Sequence, residues 1–160
     1  MCGICGFTGR ANKIILKKMT DSIIHRGPDE NGFYSDEKIN LGIRRLSIID
    51  VETGHQPIHN EKKNIWIVVN GEIYNYKELR KELKEKGHCF YTDHSDTEVI
   101  VHLYEEYGSS FMHKLNGMFA IALWDKDEDK LLVIRDRMGV KPLFYAIAKN
   151  TFCYFPTDWK

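Results

Sequence analysis

The 160-residue sequence predicts an α+β domain with β-sheets inside and helices outside, and three observations carry that prediction. Residues 65–69, 118–124 and 131–134 are apolar at nearly every position, the pattern of strands covered on both faces. Between the first two of these runs stand two segments with helical periodicity and helix-start signals. Short polar turns separate the remaining apolar runs, as in antiparallel hairpins. Strands apolar on both faces need a facing sheet on one side and helices on the other, so the elements stack in layers.

Taken in order, residues 2–7 read as the first strand, with Cys2 and Ile4 on one face and Cys5 and Phe7 on the other. Asn12 then caps a helix in which Ile15, Leu16, Met19 and Ile23 recur at helical spacing. That helix stops before His25-Arg26-Gly27-Pro28-Asp29. Phe33-Tyr34 and residues 39–43 are strands around the turn-like Ser35-Asp36-Glu37, and residues 46–49 continue as apolar chain. Gly54 and Pro57 mark a loop. The strand at 65–69 should enter a turn at Asn70-Gly71.

Asn75 with Glu78, and Ser95 with Glu98, both have capping-box spacing. The first of these helices presents Tyr76, Leu79 and Leu83 and ends at Gly87. The second presents Val99, Ile100, Leu103, Tyr104 and Tyr107, ends at Gly108, and carries Asp96 in its first turn. Both are expected to be amphipathic. Asp127-Glu128-Asp129 turns one hairpin, and Lys149-Asn150 turns a second between residues 143–148 and 151–155. Pro156 would stop a central strand.

Twenty-three basic residues balance twenty-three acidic ones, and no run of like charges marks a nucleic-acid groove or an anionic membrane surface. No apolar stretch approaches a membrane span, and no basic-then-apolar leader opens the chain. These features point to a cytoplasmic protein whose partner is a small molecule or another protein. Four cysteines in such a chain are expected to be reduced thiols. Cys2-Gly3-Ile4-Cys5 matches a C-x-x-C pair, but it lies at the chain end among glycines, where a redox motif does not usually sit. Zinc would need two more ligands, and Pro57 keeps His55 and His59 from sharing a helical face, so no metal site is expected. Cys5 is read as packing.

Cys2 follows Met1 directly, and removal of the methionine would leave a chain that begins with a thiol. A free α-amino group titrates at about 7.7–8.0 and a free thiol at about 8.5, so the amine can take the thiol's proton near neutrality. Nucleophile and base would then share one residue, as in terminal threonine nucleophiles. Such an amidase needs an oxyanion hole, for which the side chain of Asn70 and the backbone N–H of Gly71 are candidates. It also needs a grip on the substrate's polar ends. Arg44 and Arg45 face opposite ways on a strand, so one of them can hold a carboxylate in a fork, and Asp96 can meet an amine.

Together, Cys2-Gly3-Ile4-x-Gly6, Arg26-Gly27-Pro28-Asp29, Arg45-Leu46-Ser47-Ile48-Ile49-Asp50, Gln56-Pro57, Asn70-Gly71-Glu72-Ile73-Tyr74-Asn75, Ser95-Asp96-Thr97-Glu98-Val99, Gly117-Met118-Phe119-Ala120 and Arg135-Asp136-Arg137-x-Gly139-x-Lys141-Pro142-Leu143 stand in one order. The series resembles the class II glutamine amidotransferases, and among them the N-terminal glutaminase domain of glutamine-dependent asparagine synthetases. The resemblance runs from Cys2 to about Tyr145 and implies an N-terminal-nucleophile hydrolase fold, a four-layer αββα sandwich, with residues 1–160 taken as the one domain. By likeness Cys2 attacks the side-chain amide of glutamine, Asn70 and Gly71 form the oxyanion hole, Arg45 holds the α-carboxylate, and Glu72 and Asp96 position the amino groups.

In the family, ammonia passes to an ATP-dependent synthetase domain, which this sequence does not carry, so ATP and Mg²⁺ are expected only with that domain or a separate subunit. No cofactor is expected on this chain itself. The ending from Phe152 to Lys160 departs from the family and suggests a truncated or diverged product, with the completeness of its sheet and the route for ammonia open. Two other readings are another class II amidotransferase, aminating a sugar phosphate or phosphoribosyl pyrophosphate, and a non-catalytic binding remnant.

Overall fold

The computed structural model describes residues 2–50 and 52–156. The expected removal of Met1 and the departure at Thr157, Asp158, Trp159 and Lys160 fall outside those residues. The described chain forms two antiparallel sheets. The first holds β1 (Gly3–Thr8), β2 (Glu30–Ser35), β3 (Ile39–Arg45), β8 (Phe144–Ala148) and β9 (Thr151–Phe155), in the order β2-β3-β1-β9-β8. The second holds β4 (Ile58–His59), β5 (Ile65–Ile73), β6 (Gly117–Asp125) and β7 (Lys130–Arg135), in the order β4-β5-β6-β7.

Alternation along β5 and β6 explains why both read as apolar throughout. Val68 with Ala120, Ala122 and Trp124 points at the first sheet, where it meets Ile4, Leu41 and Ile43. Ile67 and Val69 with Phe119, Ile121 and Leu123 points the other way, into a second core with α2 (Tyr76–Glu85) and α3 (Val99–Tyr107). On the far side of the first sheet, α1 (Lys13–Ser22) sets Leu16 and Thr20 against Gly42, beside Cys5. The order is helix, sheet, sheet, helix: four layers, as the sequence predicts.

Several local expectations hold for the stated reasons. The Asn12 side chain accepts from Ile15 N–H at 3.1 Å and caps α1. Gly87, at φ +99°, closes α2 with a pair of bonds, from Gly87 N–H to Lys84 O and from His88 N–H to Leu83 O, the Schellman arrangement. Lys149 and Asn150 both have positive φ, as a two-residue hairpin turn of matching twist requires. β9 pairs on both sides and ends one residue before Pro156.

Others are corrected. Ile15 is exposed, and the buried face of α1 runs through Leu16 and Thr20 instead. Neither capping box forms. Asn75 spans two backbone groups across the chain, accepting from Asn116 N–H and donating to Lys114 O. Glu98 accepts from Tyr91 N–H and Thr92 N–H, and α3 begins only at Val99, so Asp96 lies ahead of the helix. α3 is not amphipathic over its first six residues, since Val99 to Tyr104 are all buried under α2 and the turn at Gly108–His113. β7 is only half buried at its centre because it is a sheet edge. β5 does not turn at Asn70-Gly71; it runs on to Ile73, paired with β6 as far as Gly117.

Candidate active site

β1 and β3 run side by side, Gly3 opposite Arg44, which brings the start of the chain beside the segment that follows β3. Cys2, half-buried, meets that segment at Leu46, whose N–H donates to Sγ at 3.4 Å. Arg26 braces the same residue from the turn after α1, its Nε donating to the Cys2 carbonyl oxygen at 3.4 Å. The close packing there demands Gly27, since a Cβ would lie 2.4 Å from the Arg44 backbone. Cys5, on the opposite face as predicted, is sealed under α1, and burial pushes its thiol up to about 12.

The two arginines divide as strand geometry demands. Arg44 turns outward to the C-terminal end of α1, donating to Thr20 O and pairing with Asp21 at 2.7 Å. Arg45 turns inward and is 4% exposed. Its guanidinium donates to Ile49 O at 3.0 Å and Asp50 O at 2.6 Å, and pairs at 3.1 Å with Glu30, its cross-strand neighbour. Arg45 therefore shapes the 46–50 loop as well as lining the cavity.

β5 supplies the far wall. Its pairing with β6 alternates, and Phe119 gives both its N–H and its C=O to Asp136, so Gly71 opposite it belongs to a pair that does not bond across the strands. The amides of Val69, Gly71 and Ile73 consequently point away from β6, toward one edge. Val69 N–H is taken by Gln56 Oε1 at 2.7 Å and Ile73 N–H by Asp96 Oδ2 at 2.9 Å. Gly71 N–H stands between these two. A Cβ at Gly71 would lie 2.1 Å from Met118 O, so the close approach of β6 excludes any side chain there.

Asn70 points the other way, toward the first sheet. The residue is 2% exposed, and its Nδ2 is buried with no hydrogen-bond acceptor. A buried amide donor without a partner costs about 1–3 kcal/mol, an outlay that a site for a transient negative charge explains. Cys2, Arg45, Asn70, Gly71, Glu72 and Asp96, the six residues singled out in the sequence, all line this one cavity.

Asp96 is 6% exposed, and burial raises its carboxyl to about 6; Glu72 nearby adds to the rise and Arg45 opposes it. Because the folded value exceeds the ordinary 3.8, the ionised group costs stability at neutral pH and the cost disappears as pH falls from about 6 through 3.8. Asp96→Asn keeps an acceptor for Ile73 N–H and removes the charge. It should therefore raise stability at pH 7 by about 1–3 kcal/mol, with the gain shrinking below pH 6. Urea denaturation of both forms across that range checks this, and a variant less stable than the parent at pH 7 contradicts it.

Leu46, Gln56, Thr97 and Lys141 also line the cavity, and no local feature of the sequence assigns them a role there. Gln56 extends the β4–β5 ladder with its side-chain amide, donating to Val69 O at 3.2 Å and accepting from Val69 N–H. Gln56-Pro57 and Lys141-Pro142 were visible as motifs, but nothing local says where their side chains go.

The family model described as "Glutamine amidotransferase domain" matches residues 1–160. Asparagine synthetase [glutamine-hydrolyzing] 1 of Bacillus subtilis (strain 168) is 46% identical over 98% of this chain and 26% of that protein. Asparagine synthetase [glutamine-hydrolyzing] 2 of the same organism is 47% identical over 96% of this chain and 21% of that protein. Asparagine synthetase [glutamine-hydrolyzing] of Sandersonia aurantiaca is 44% identical over the whole chain and 31% of that protein. The chain thus spans between a fifth and a third of the length of these relatives. Among solved structures, the glutamine phosphoribosylpyrophosphate amidotransferase from B. subtilis, complexed with ADP and GMP, matches with a TM-score of 0.79 at 20% identity, over 96% of this chain and 41% of that one. At that identity the match speaks to the fold.

Proposed function

The chain belongs to the class II glutamine amidotransferases and is similar to glutamine-hydrolysing asparagine synthetases, and on that premise we propose that residues 1–160 form a domain that hydrolyses glutamine to glutamate and ammonia. The observation that carries the reading is the unpartnered Nδ2 of Asn70 in a cavity shared with Cys2, Arg45 and two carboxylates. Once Met1 is removed, the α-amine of Cys2 takes the thiol proton and sulfur attacks the side-chain amide carbon. The oxygen becomes an anion, and Asn70 Nδ2 and Gly71 N–H donate to it. The amine returns its proton to the departing nitrogen, ammonia leaves, and a thioester of glutamate remains. Water, deprotonated by the same amine, then attacks the thioester and releases glutamate and the thiol.

Arg45 holds the α-carboxylate, and Glu72 and Asp96 receive the α-ammonium group. None of these steps uses a cofactor on this chain. ATP and Mg²⁺ belong with the acceptor reaction, which in the reading we favour is the amidation of aspartate by a synthetase domain or subunit. The relatives' names and lengths support that assignment. A nucleophilic thiol that must stay reduced suits the cytoplasm. No helix among the described residues is long and apolar enough to cross a membrane.

Purified protein incubated with glutamine should release ammonia and glutamate in equal amounts, and a glutamine-like chloroketone should add once to an intact mass that lacks methionine. No ammonia from processed protein, or label on another cysteine, rejects the proposal. Arg45→Lys keeps the charge but loses the fork, so the KM for glutamine should rise tenfold or more with kcat changed far less. An unchanged KM places the carboxylate grip elsewhere.

A further inference from the structure

A second cluster of reactive side chains lies at the other end of β5. Glu61 sits in the β4–β5 turn, whereas Gly71 belongs to the active site, and the strand between rises about 3.3 Å per residue, so roughly 20 Å separate them. Here Glu61, His88, His102 and Glu105 bring four ligand atoms within 4.8 Å of one another. His102 and Glu105 share one face of α3 at i and i+3, and His88 follows the Gly87 that ends α2.

The spacings are those of a coordination shell. His102 Nδ1 is 3.2 Å from Glu105 Oε2 and 3.6 Å from Glu61 Oε2, and His88 Nδ1 is 3.6 Å from Glu105 Oε2. Tetrahedral zinc with bonds of about 2.0–2.2 Å sets neighbouring ligands about 3.3–3.6 Å apart. The remaining heteroatoms of His88, Glu105 and Glu61 each meet a group that would orient the ligand, while that of His102 faces the Glu98 carboxylate beyond hydrogen-bond reach. His88 Nε2 meets Glu106 at 3.1 Å, and His102 Nε2 lies 3.7 Å from the buried carboxylate of Glu98. Glu105 Oε1 accepts from Asn60 Nδ2 at 2.8 Å, and Glu61 Oε1 from Cys89 N–H at 2.9 Å. Outer partners of this kind select the tautomer and aim of metal ligands. His102 itself is fully buried, and its Nε2 makes no hydrogen bond.

We propose that Glu61, His88, His102 and Glu105 form a binding site for a divalent transition cation, zinc above all, that staples the β4–β5 turn to the ends of α2 and α3. Two imidazoles and two carboxylates in a compact set suit zinc better than calcium or magnesium, which take more oxygens. Four protein ligands leave no open position, so the ion's role is structural. Sequence inspection misses the site because its ligands come from three separate elements with no spacing motif.

The test is titration of the chelator-treated full chain with Zn²⁺ by calorimetry, and with Co²⁺ by visible absorption. One ion should bind per chain, with tetrahedral cobalt bands and no thiolate charge-transfer band, and Zn²⁺ should raise the melting temperature. His88→Ala and Glu61→Gln, both at positions with some solvent access, should each weaken binding at least tenfold and cancel the thermal shift while leaving glutamine hydrolysis unchanged. Absence of binding by the parent chain, equal affinity in both variants, or a thiolate signature that disappears in a cysteine variant would overturn the proposal. The first of those results would mean that a proton on His102 holds these carboxylates together.

Discussion

Cys2→Ala is expected to bring ammonia release from glutamine down to the assay background. Removing the nucleophile of a well-characterised serine protease costs about 10⁶ in kcat, and a loss of at least four orders of magnitude is expected here. The effect is large because alanine keeps the α-amine but leaves it no thiol to deprotonate, and the described groups nearest the sulfur offer no substitute nucleophile. Leu46 presents its backbone to the sulfur, and Arg26 donates to the Cys2 carbonyl oxygen. Two controls sharpen the result. Cys5→Ala should retain activity, since its sulfur is sealed beneath α1 on the other face of β1. An N-terminal extension that resists trimming should abolish activity although Cys2 is intact, because the base is then an amide nitrogen. Equal rates for Cys2→Ala and the parent, or full activity in the extended chain, would remove the terminal thiol from the mechanism.

How far the sequence reveals this molecule depends on the range over which each feature is decided. Cys5 and Cys2 separate by simple alternation, and Arg44 and Arg45 do likewise, because a strand's two faces follow from its period of two. The layer order is legible because residues 65–69 and 118–124 are apolar on both faces, which only a doubly covered sheet satisfies. Asn70-Gly71 misleads for the opposite reason. Locally it is a turn dipeptide, but β6 pairs with it from Phe119 and Ala120, and that long-range ladder outweighs the local preference. The capping boxes fail because other partners win: Asn75 bonds Asn116, far along the chain, and Glu98 takes the Tyr91 and Thr92 amides of the preceding loop. Gln56 stands out only as part of a Gln-Pro motif and the Glu61 cluster not at all, since their geometry is set by loops whose path only folding defines.

Asn70→Ala should lower kcat by roughly 10²–10³, about 2.7–4 kcal/mol of transition-state stabilisation, while leaving the KM for glutamine near its original value. The donor acts on an oxygen whose charge exists only after sulfur attacks, so ground-state binding has little to lose. Stability separates this role from a structural one. In the resting protein Nδ2 has no partner, so its removal also removes an unsatisfied buried donor worth about 1–3 kcal/mol. That gain offsets the small cavity left by the amide, and the melting temperature should hold or rise while kcat falls. A side chain held in place for packing would behave in the reverse sense, losing stability with little change in turnover. Asn70→Asp keeps the shape but puts an anion where the oxyanion must form, so it should be slower still than the alanine variant. If Asn70→Ala turns over within about threefold of the parent, Gly71 N–H and some other donor carry the charge, and the empty hydrogen-bonding position on Nδ2 loses its explanation.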